Sequence, residues 1–199
     1  MLFLWILFLI VIIVFLKYLH LIIKRFHLLR KIRKRIKKYN GSIQYFRNPM
    51  TSIFKHDGKA DISLQLQKKI IDVSVITTPF RRVRYHFDIN NKLLELVIER
   101  RSVYIVNPRV PRPSAVMDRV YIIRKYKIGF DSSDNQNPKY VILHPAPISV
   151  SKADGATLTA LYNNDNLIPG VKVCGLKWFI ENAFDELKID NNQHESSNI

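Results

Sequence analysis

Residues 1–38 read MLFLWILFLIVIIVFLKYLHLIIKRFHLLRKIRKRIKK, an apolar stretch that is followed at once by a basic one. Residues 1–23 contain one Lys, Lys17, and no acidic side chain. As a helix they would be roughly 35 Å long, enough to cross a hydrocarbon core of about 30 Å if the Lys17 ammonium reaches the headgroups. Tyr18 and His20 suit the polar interface of a bilayer. The sequence therefore predicts a transmembrane anchor over residues 1–23.

A cleaved secretory signal is the alternative interpretation of this stretch. Such a signal needs basic residues before the apolar run and small residues at a cleavage site after it. Residues 1–5 carry no basic side chain, and the first Gly, Ser and Ala are Gly41, Ser42 and Ala60. The distance to the first small residue favours the anchor.

The basic stretch predicts how the anchor is oriented. Basic residues next to a span stay on the cytoplasmic side, so the N-terminus is expected outside and the rest of the chain in the cytoplasm. The single cysteine, Cys174, fits a reducing compartment because it cannot form an internal disulfide. Nine basic residues are expected to face the anionic lipids of the inner leaflet: Lys24, Arg25, Arg30, Lys31, Arg33, Lys34, Arg35, Lys37 and Lys38.

The net charge of +16 raises the question of nucleic-acid binding. Ten of the 32 Lys and Arg lie before residue 40, and all 16 Asp and Glu lie after it. The other 22 basic side chains leave residues 40–199 with a net charge of +6, an ordinary surface excess. The sequence thus favours the membrane as the partner of the basic stretch, and it favours nucleic acid least.

The basic stretch also carries an apolar stripe, which predicts an amphipathic juxtamembrane helix over residues 24–39. This helix can continue the span, bend to lie on the membrane surface, or pair with a second copy of the chain. Asn40 and Gly41 suit its C-terminal cap. The stripe comprises Leu19, Ile22, Phe26, Leu29, Ile32, Ile36 and Tyr39.

Beyond the helix the sequence predicts a connector over residues 40–60, a cytosolic β-rich domain over 61–188 and a disordered tail over 189–199. An apolar stripe from residue 176 to residue 187 predicts a C-terminal amphipathic helix. The fold class is α+β, with a mainly antiparallel sheet or small barrel closed by that helix. Segment 153–162 fits either a helix or a hairpin. Other strands are predicted at 70–76, 103–106, 120–128, 140–143 and 171–174.

A hairpin is predicted around Asn90 and Asn91, because the residues on both sides alternate between apolar and polar. With a two-residue loop, Ile89 pairs with Lys92, and the apolar residues of the two strands share one face. The other face then pairs His86 with Glu95 and Arg82 with Glu99. The opposed apolar pairs are Phe87 with Leu94, Tyr85 with Leu96 and Val83 with Ile98.

Two arginine-containing segments are possible anion- or partner-binding sites. Arg82, Arg84 and His86 lie on one strand, although acidic cross-strand partners would make them an ordinary solvated ladder. Arg109 and Arg112 lie in a proline-rich segment that favours an extended loop, which is also a plain surface crossover.

Catalytic signatures are absent from the sequence: it has no GxGxxG, P-loop, GxSxG, HExxH or paired CxxC motif. No cofactor and no metal site is therefore predicted. The remaining candidate pair is His144 and Cys174, which would meet at one sheet edge if their strands were neighbours. A buried apolar role for the cysteine is the simpler interpretation.

The sequence as a whole predicts a single-pass membrane protein whose cytoplasmic domain binds without catalysis at the inner membrane surface. Its expected partners are the anionic leaflet, a protein, or a second copy of the chain through the juxtamembrane helix. The alternative hypothesis is a membrane-tethered enzyme that acts on a phosphorylated or nucleotide substrate.

Overall fold

The computed structural model describes residues 2–48, 60–66, 69–80, 82–88, 92–103, 115–128, 137–154 and 157–184 of the 199-residue chain. Within these ranges a long helix, α1 (Leu2–Lys38), precedes eleven strands and a short C-terminal helical segment. The strands are β1 (Ser42–Tyr45), β2 (Ile62–Leu66), β3 (Lys69–Thr77), β4 (Val83–Phe87), β5 (Lys92–Val103), β6 (Ala115–Lys127), β7 (Lys139–His144), β8 (Ser149–Asp154), β9 (Thr157–Leu161), β10 (Asn166–Ile168) and β11 (Val171–Gly175).

The helix α1 is continuous from the apolar stretch into the basic stretch. It therefore continues the predicted span rather than bending at the interface. Its 37 residues are about 55 Å long. By length and composition it is the one helix in the described ranges that could cross a membrane. The side chains from Phe3 to Leu16 are almost all exposed, whereas burial recurs at three- and four-residue steps from Leu21 onward.

Six strands form the inner sheet, in the order β1-β2-β3-β7-β11-β10. Its centre is parallel, because β7 pairs in parallel with β3 on one side and with β11 on the other. The sheet is covered on both faces, so β3 and β7 are buried along nearly their whole length instead of alternating. This is why their sequences read as apolar runs.

The other five strands form the outer sheet, in the order β6-β5-β4-β8-β9. It packs face to face with the inner sheet, through Ile76 and Val141 on one side and Tyr85 and Phe87 on the other. The opposite face of the inner sheet packs against α1 and the C-terminal helical segment. The described domain is therefore a three-layer α+β structure, and neither of its sheets closes into the barrel that was one of the two predicted forms.

The predicted register of the β4–β5 hairpin is wrong by one residue. Val83 pairs with Val97 and Tyr85 with Glu95, and the Asp88 amide donates to the Lys92 carbonyl at 2.9 Å. Asp88 therefore lies opposite Lys92, where the prediction paired Ile89 with Lys92. Because side chains alternate along a strand, the shift of one residue moves Glu95 from the solvent face into the core.

Several further predictions can be compared with the structure. Strands are confirmed over 70–76, 120–127, 140–143 and 171–174, and segment 153–162 contributes to the β8–β9 hairpin rather than to a helix. The first part of the predicted connector forms β1, which pairs with β2. The C-terminal segment is helical, as α2 (Leu176–Trp178) followed by a π-helical turn (Phe179–Ala183). The predicted tail and residues 104–106 lie outside the described residues.

Candidate anion-binding cleft

A cleft of about 570 Å³ lies between α1 and the C-terminal helical segment. One wall is a cationic face of α1, and the other wall is formed by α2, the π-helical turn and the end of β7. Its lining consists of Lys31, Lys34, Arg35, Lys38, His144, Pro145, Ala146, Leu176, Lys177, Ile180 and Glu181. This volume is within the range that holds a small molecule or a short peptide segment.

The cationic wall follows directly from helical spacing. Lys31, Lys34, Arg35 and Lys38 recur at steps of three, one and three residues, so their side chains share one face of α1. The adjacent face is apolar and packs on the inner sheet, which fixes the rotation of the helix about its axis. The basic side chains therefore line one side of the cleft, because the inner sheet covers the neighbouring apolar stripe of α1.

A stack of side chains supports the far end of this wall. The Arg35 guanidinium lies 5.2 Å from the centre of the Tyr39 ring. The Tyr39 ring is in turn stacked on Phe184, with centroids 5.6 Å apart and planes 11° from parallel. This arrangement holds Arg35 by cation–π attraction and links the end of α1 to the C-terminal segment.

His144 is the histidine of the cleft and lies near Lys24 and Lys31 of α1. Burial lowers the pKa of His144, and the charges of Lys24 and Lys31 lower it further. The imidazole is therefore neutral at pH 7, since its ordinary value is 6.5. An anion bound in the cleft would offset the lysine charges and raise this pKa again.

The lining favours a ligand that combines negative charge with apolar groups. Five Lys or Arg side chains face a single carboxylate, Glu181, while Ala146, Leu176 and Ile180 provide apolar surface. Lysine ammonium groups act as point charges that bind carboxylates and phosphates alike. The arrangement can bind and orient an anion.

Arg25 departs from the other eight residues of the predicted lipid-facing set. It is almost completely buried, and its Nη2 lies 3.0 Å from Oδ2 of Asp61. Its Nη1 donates to the Val75 carbonyl at 2.8 Å, and the Val75 amide donates to the same Asp61 oxygen at 2.7 Å. Burial raises the pKa of Asp61, an effect that the Arg25 charge opposes. Arg25 therefore faces the domain and is not presented to lipid.

The remaining eight residues are divided by the continuous helix. Lys24 lies at the end of the predicted span, whereas Lys31 and Lys38 lie about 10 and 21 Å farther along the axis than Lys24. Arg30 and Arg33 line a separate cleft of about 640 Å³ with Phe26, His27 and Tyr45. The structure thus places in different environments the nine basic residues that the sequence predicts to face lipid together.

The second predicted group lies on the outer sheet. Arg82 and Arg84 are exposed and His86 is half-buried, with its Nδ1 3.1 Å from the Ser151 hydroxyl. In the observed register His86 pairs with Leu94 instead of Glu95, so the expected acidic neighbour is not opposite it. Arg109 and Arg112, the other members of this prediction, lie outside the described residues.

His144 and Cys174 lie on adjacent strands, since β7 and β11 pair in parallel with Cys174 opposite Ile142. Cys174 is buried in the core beneath the helices, where it packs with apolar side chains. His144 instead lines the cationic cleft. The cysteine therefore has the buried apolar environment that was the simpler interpretation of the sequence.

A buried polar cluster was missed by the sequence analysis. The Glu95 carboxylate is fully buried and accepts hydrogen bonds from the hydroxyls of Thr78 and Tyr126. Burial raises the pKa of Tyr126, and the Glu95 charge raises it further, so the phenol stays protonated as a donor. The available signal was the position of Glu95 within the apolar run Leu93–Ile98.

No three His, Cys, Asp or Glu side chains come close enough together to hold a metal ion in the part of the chain that the structure describes. Comparison with protein-family models, with curated proteins and with solved structures finds no match to this chain. Any functional conclusion therefore depends on the chain's own geometry and charge.

Proposed function

We propose that this protein is a single-pass membrane protein whose β-rich domain binds an acidic segment of a protein partner close to the inner membrane surface. Residues 1–23 would form the anchor, with the N-terminus outside and the domain in the cytoplasm. The cleft between α1 and the C-terminal helical segment would be the binding site. The binding would be non-catalytic.

The anchor is supported by the contrast between exposed and buried positions along α1. Long apolar side chains from Phe3 to Phe15 are exposed, although burial of such groups is the main stabilising term in folding. A lipid environment accounts for this exposure. The orientation is supported by the basic residues that follow the span, which favour the cytoplasmic side.

The position of the cleft along α1 is the observation that supports a protein ligand over a lipid. Its α1 residues begin about 12 Å beyond the predicted span, at Lys31, and extend to Lys38. Electrostatic attraction to a charged surface falls off over a Debye length of about 8 Å at physiological salt. A soluble acidic segment can enter the cleft at its end near Lys34 and Lys38, which lies farther from the headgroups than its His144 end.

The experiment compares two triple variants of the full chain in neutral phosphatidylcholine nanodiscs. One variant, Lys31→Gln/Lys34→Gln/Lys38→Gln, removes cations from the cleft. The control, Arg30→Gln/Arg33→Gln/Lys37→Gln, removes the same charge from residues of α1 that do not line it. The probe is a fluorescent peptide of alternating Glu and Leu, and fluorescence anisotropy measures its binding.

We expect the cleft variant to weaken binding by about tenfold or more, since three cation–anion contacts of about 0.5–1 kcal/mol each are lost. The control should weaken binding by no more than about threefold, through the general loss of charge. Equal weakening in both variants would show that the peptide binds to the net charge and not to the cleft.

The same proteins test whether the ligand of the cleft is an anionic lipid headgroup. If the cleft binds headgroups, nanodiscs with phosphatidylglycerol should compete with the peptide in the parent chain. We expect little competition from the membrane that carries the anchor. Strong competition would show that the ligand of the cleft is a lipid headgroup and not an acidic protein segment.

A second candidate function, a membrane-tethered enzyme for a phosphorylated substrate, is favoured by one observation. His144 is neutral and lies among cations, so it could accept a proton from an attacking water while the lysines bind phosphate. Release of phosphate from p-nitrophenyl phosphate by the parent chain, and its loss in His144→Gln, would support this alternative. If the parent chain releases no phosphate from p-nitrophenyl phosphate, the enzyme alternative is rejected and the binding function is retained.

A further inference from the structure

We propose that the end of the β-sandwich nearest the span is itself seated in the headgroup layer, through four exposed apolar side chains on four different connections. This second membrane contact depends on the anchor assigned under the proposed function. Its occupant is the lipid surface on the side where α1 leaves the bilayer. The contacting side chains would be Phe46, Phe80, Ile148 and Tyr162.

Two contacts fix how α1 lies along the inner sheet. At the end nearer the span, Arg25 pairs with Asp61, one residue before β2, and also binds the Val75 carbonyl near the end of β3. At the other end, Gly41 lies so close to Gln65 of β2 that a Cβ on Gly41 would come within 2.6 Å of the Gln65 carbonyl oxygen. The helix therefore runs beside β2 in the same direction, with the start of β2 toward the span.

Strand pairing extends this direction to the rest of the domain. Since β3 is antiparallel to β2, β3 ends on the span side. The strand β7 is parallel to β3, and β11 is parallel to β7, so both of them also end on this side. In the outer sheet, β8 begins just after the end of β7 and therefore starts on this side. The strand β4 is parallel to β8 and starts on the same side, where the Ile148 amide donates to the Val83 carbonyl at 2.8 Å. The strand β9 is antiparallel to β8 and ends there too.

Four connections at this end of the domain each carry an exposed apolar residue. The Phe46 amide donates to the Asp61 carbonyl at 3.1 Å, and the Phe80 amide donates to the hydroxyl of Thr78, whose own amide binds the His144 carbonyl at 3.1 Å. Tyr162 precedes Asn163, which accepts a hydrogen bond from the Gly175 amide at the end of β11. The exposed fractions are 52% for Phe46, 37% for Phe80, 57% for Ile148 and 75% for Tyr162.

The burial of Leu21 sets the height of this end relative to the membrane. Leu21 is 1% exposed although it belongs to the predicted span, so the domain covers the last turns of that span. Residues 2–20 remain for the hydrocarbon core and are about 28 Å long as a helix, close to a core thickness of about 30 Å. The domain end that reaches Leu21 must then lie at the level of the headgroups.

The chemistry of the four side chains fits that layer. Aromatic residues are enriched at membrane interfaces because the ring contacts acyl chains while polar groups remain hydrated. Cationic residues accompany them at this end, with Lys24 on α1, Arg47 next to Phe46 and Arg82 two residues after Phe80. Because the four residues come from both sheets, they would hold the domain end flat against the bilayer.

The test uses fluorescent labels on cysteine variants of the full chain in nanodiscs of phosphatidylcholine and phosphatidylglycerol. Phe46→Cys, Ile148→Cys and Tyr162→Cys each receive a nitrobenzoxadiazole label, and lipids with a nitroxide high on the acyl chain quench it. Leu158→Cys is the matched control, because Leu158 is 73% exposed and lies about 13 Å from Tyr162 along β9, away from the span. Phe15→Cys is the positive control within the span. The parent chain, whose Cys174 is buried, is the labelling blank.

We expect quenching at positions 46, 148 and 162 to be at least about twice that at position 158, because nitroxide quenching requires near contact with the acyl-chain region where interfacial side chains insert. The proposal is overturned if the three positions are quenched no more than position 158 while position 15 is strongly quenched. Weak quenching at position 15 would instead refute the anchor, and with it both this inference and the proposed function.

Discussion

The two halves of α1 differ in environment although they form one continuous helix. From residue 3 to residue 16 nearly every side chain is exposed, whereas Leu28, Ile32 and Ile36 are buried under the inner sheet. The first half has the uniform apolar character of a helix in lipid, and the second half has one apolar stripe and one cationic face. The comparison shows that the second half of α1 belongs to the core of the domain.

The largest expected effect comes from breaking the ion pair that joins the second half of α1 to the inner sheet. In Asp61→Asn the buried Arg25 guanidinium loses its counter-charge, so we expect the free energy of unfolding to fall by about 3–5 kcal/mol. Urea unfolding of the full chain in nanodiscs, with Trp5→Phe in every variant so that Trp178 is the only fluorescent tryptophan of the chain, measures it.

Two control variants show whether the effect comes from an uncompensated charge. Arg33→Gln, at an exposed position of α1, should change the stability by less than about 0.5 kcal/mol. The double variant Arg25→Met/Asp61→Leu should recover only part of the stability that Asp61→Asn loses, because it removes the unpaired charge but also removes the side-chain partners of the Val75 amide and carbonyl. A loss below about 1 kcal/mol in Asp61→Asn would mean that the pair does not hold α1 on the sheet.

The second prediction compares the same substitution in the two halves. Ile32→Ala removes a fully buried side chain from the core between α1 and the inner sheet, and we expect a loss of about 2–5 kcal/mol. Ile10→Ala, at an exposed position of the apolar half, should leave the urea midpoint of the domain unchanged. Similar losses in both variants would contradict the division of the helix into two environments.

The third prediction concerns the turn that leads from α1 into β1. A Cβ at Gly41 would come within 2.6 Å of both the Gln65 carbonyl oxygen and Cγ1 of Ile36. Gly41→Ala should therefore reduce the free energy of unfolding by about 1–3 kcal/mol through overpacking. Ser42→Ala, at the next and exposed position, is the matched control and should change it by less than about 0.5 kcal/mol. Equal urea midpoints for the two variants would show that the turn adapts without strain.

The smallest expected effect is a pH dependence from His144. Burial, Lys24 and Lys31 lower the pKa of His144 below its unfolded value of 6.5, so the unfolded state takes up this proton more readily than the folded state. The contribution of His144 to the free energy of unfolding is fully present above pH 6.5, and it is lost as the pH falls through 6.5 toward the pKa of the folded state. His144→Gln should reduce the fall in urea midpoint between pH 7.5 and pH 5.5. Identical pH profiles would contradict the assigned environment.

Several elements of the fold could be predicted from the sequence because a local pattern determines them. The continuous apolar stretch requires a long exposed helix, and the runs at 70–76 and 140–143 require strands. The hairpin register could not be predicted in the same way, since two- and three-residue loops both fit the sequence around Asn90. What selects the observed register is the burial of Glu95 with donors from Thr78 and Tyr126, which lie outside the β4–β5 hairpin.

The candidate site shows the same division. Helical spacing alone places Lys31, Lys34 and Lys38 on one face, and this much could be read from the sequence. The opposing wall comes from the end of β7 and from α2, more than a hundred residues away. No local pattern indicates that these segments pack beside α1, so His144 and Lys177 could not be assigned to the cationic face.

The apolar helix and its basic continuation follow from local sequence, because backbone hydrogen bonding and side-chain periodicity within a helix are local. Which of the basic residues are accessible depends instead on contacts between segments remote in sequence. Arg25 is buried against Asp61 while Lys31 and Lys38 face a cleft, although all three belong to the same basic stretch. The physical reason is that burial and counter-charges are supplied by strands remote in sequence, and their arrangement depends on the packing of both sheets.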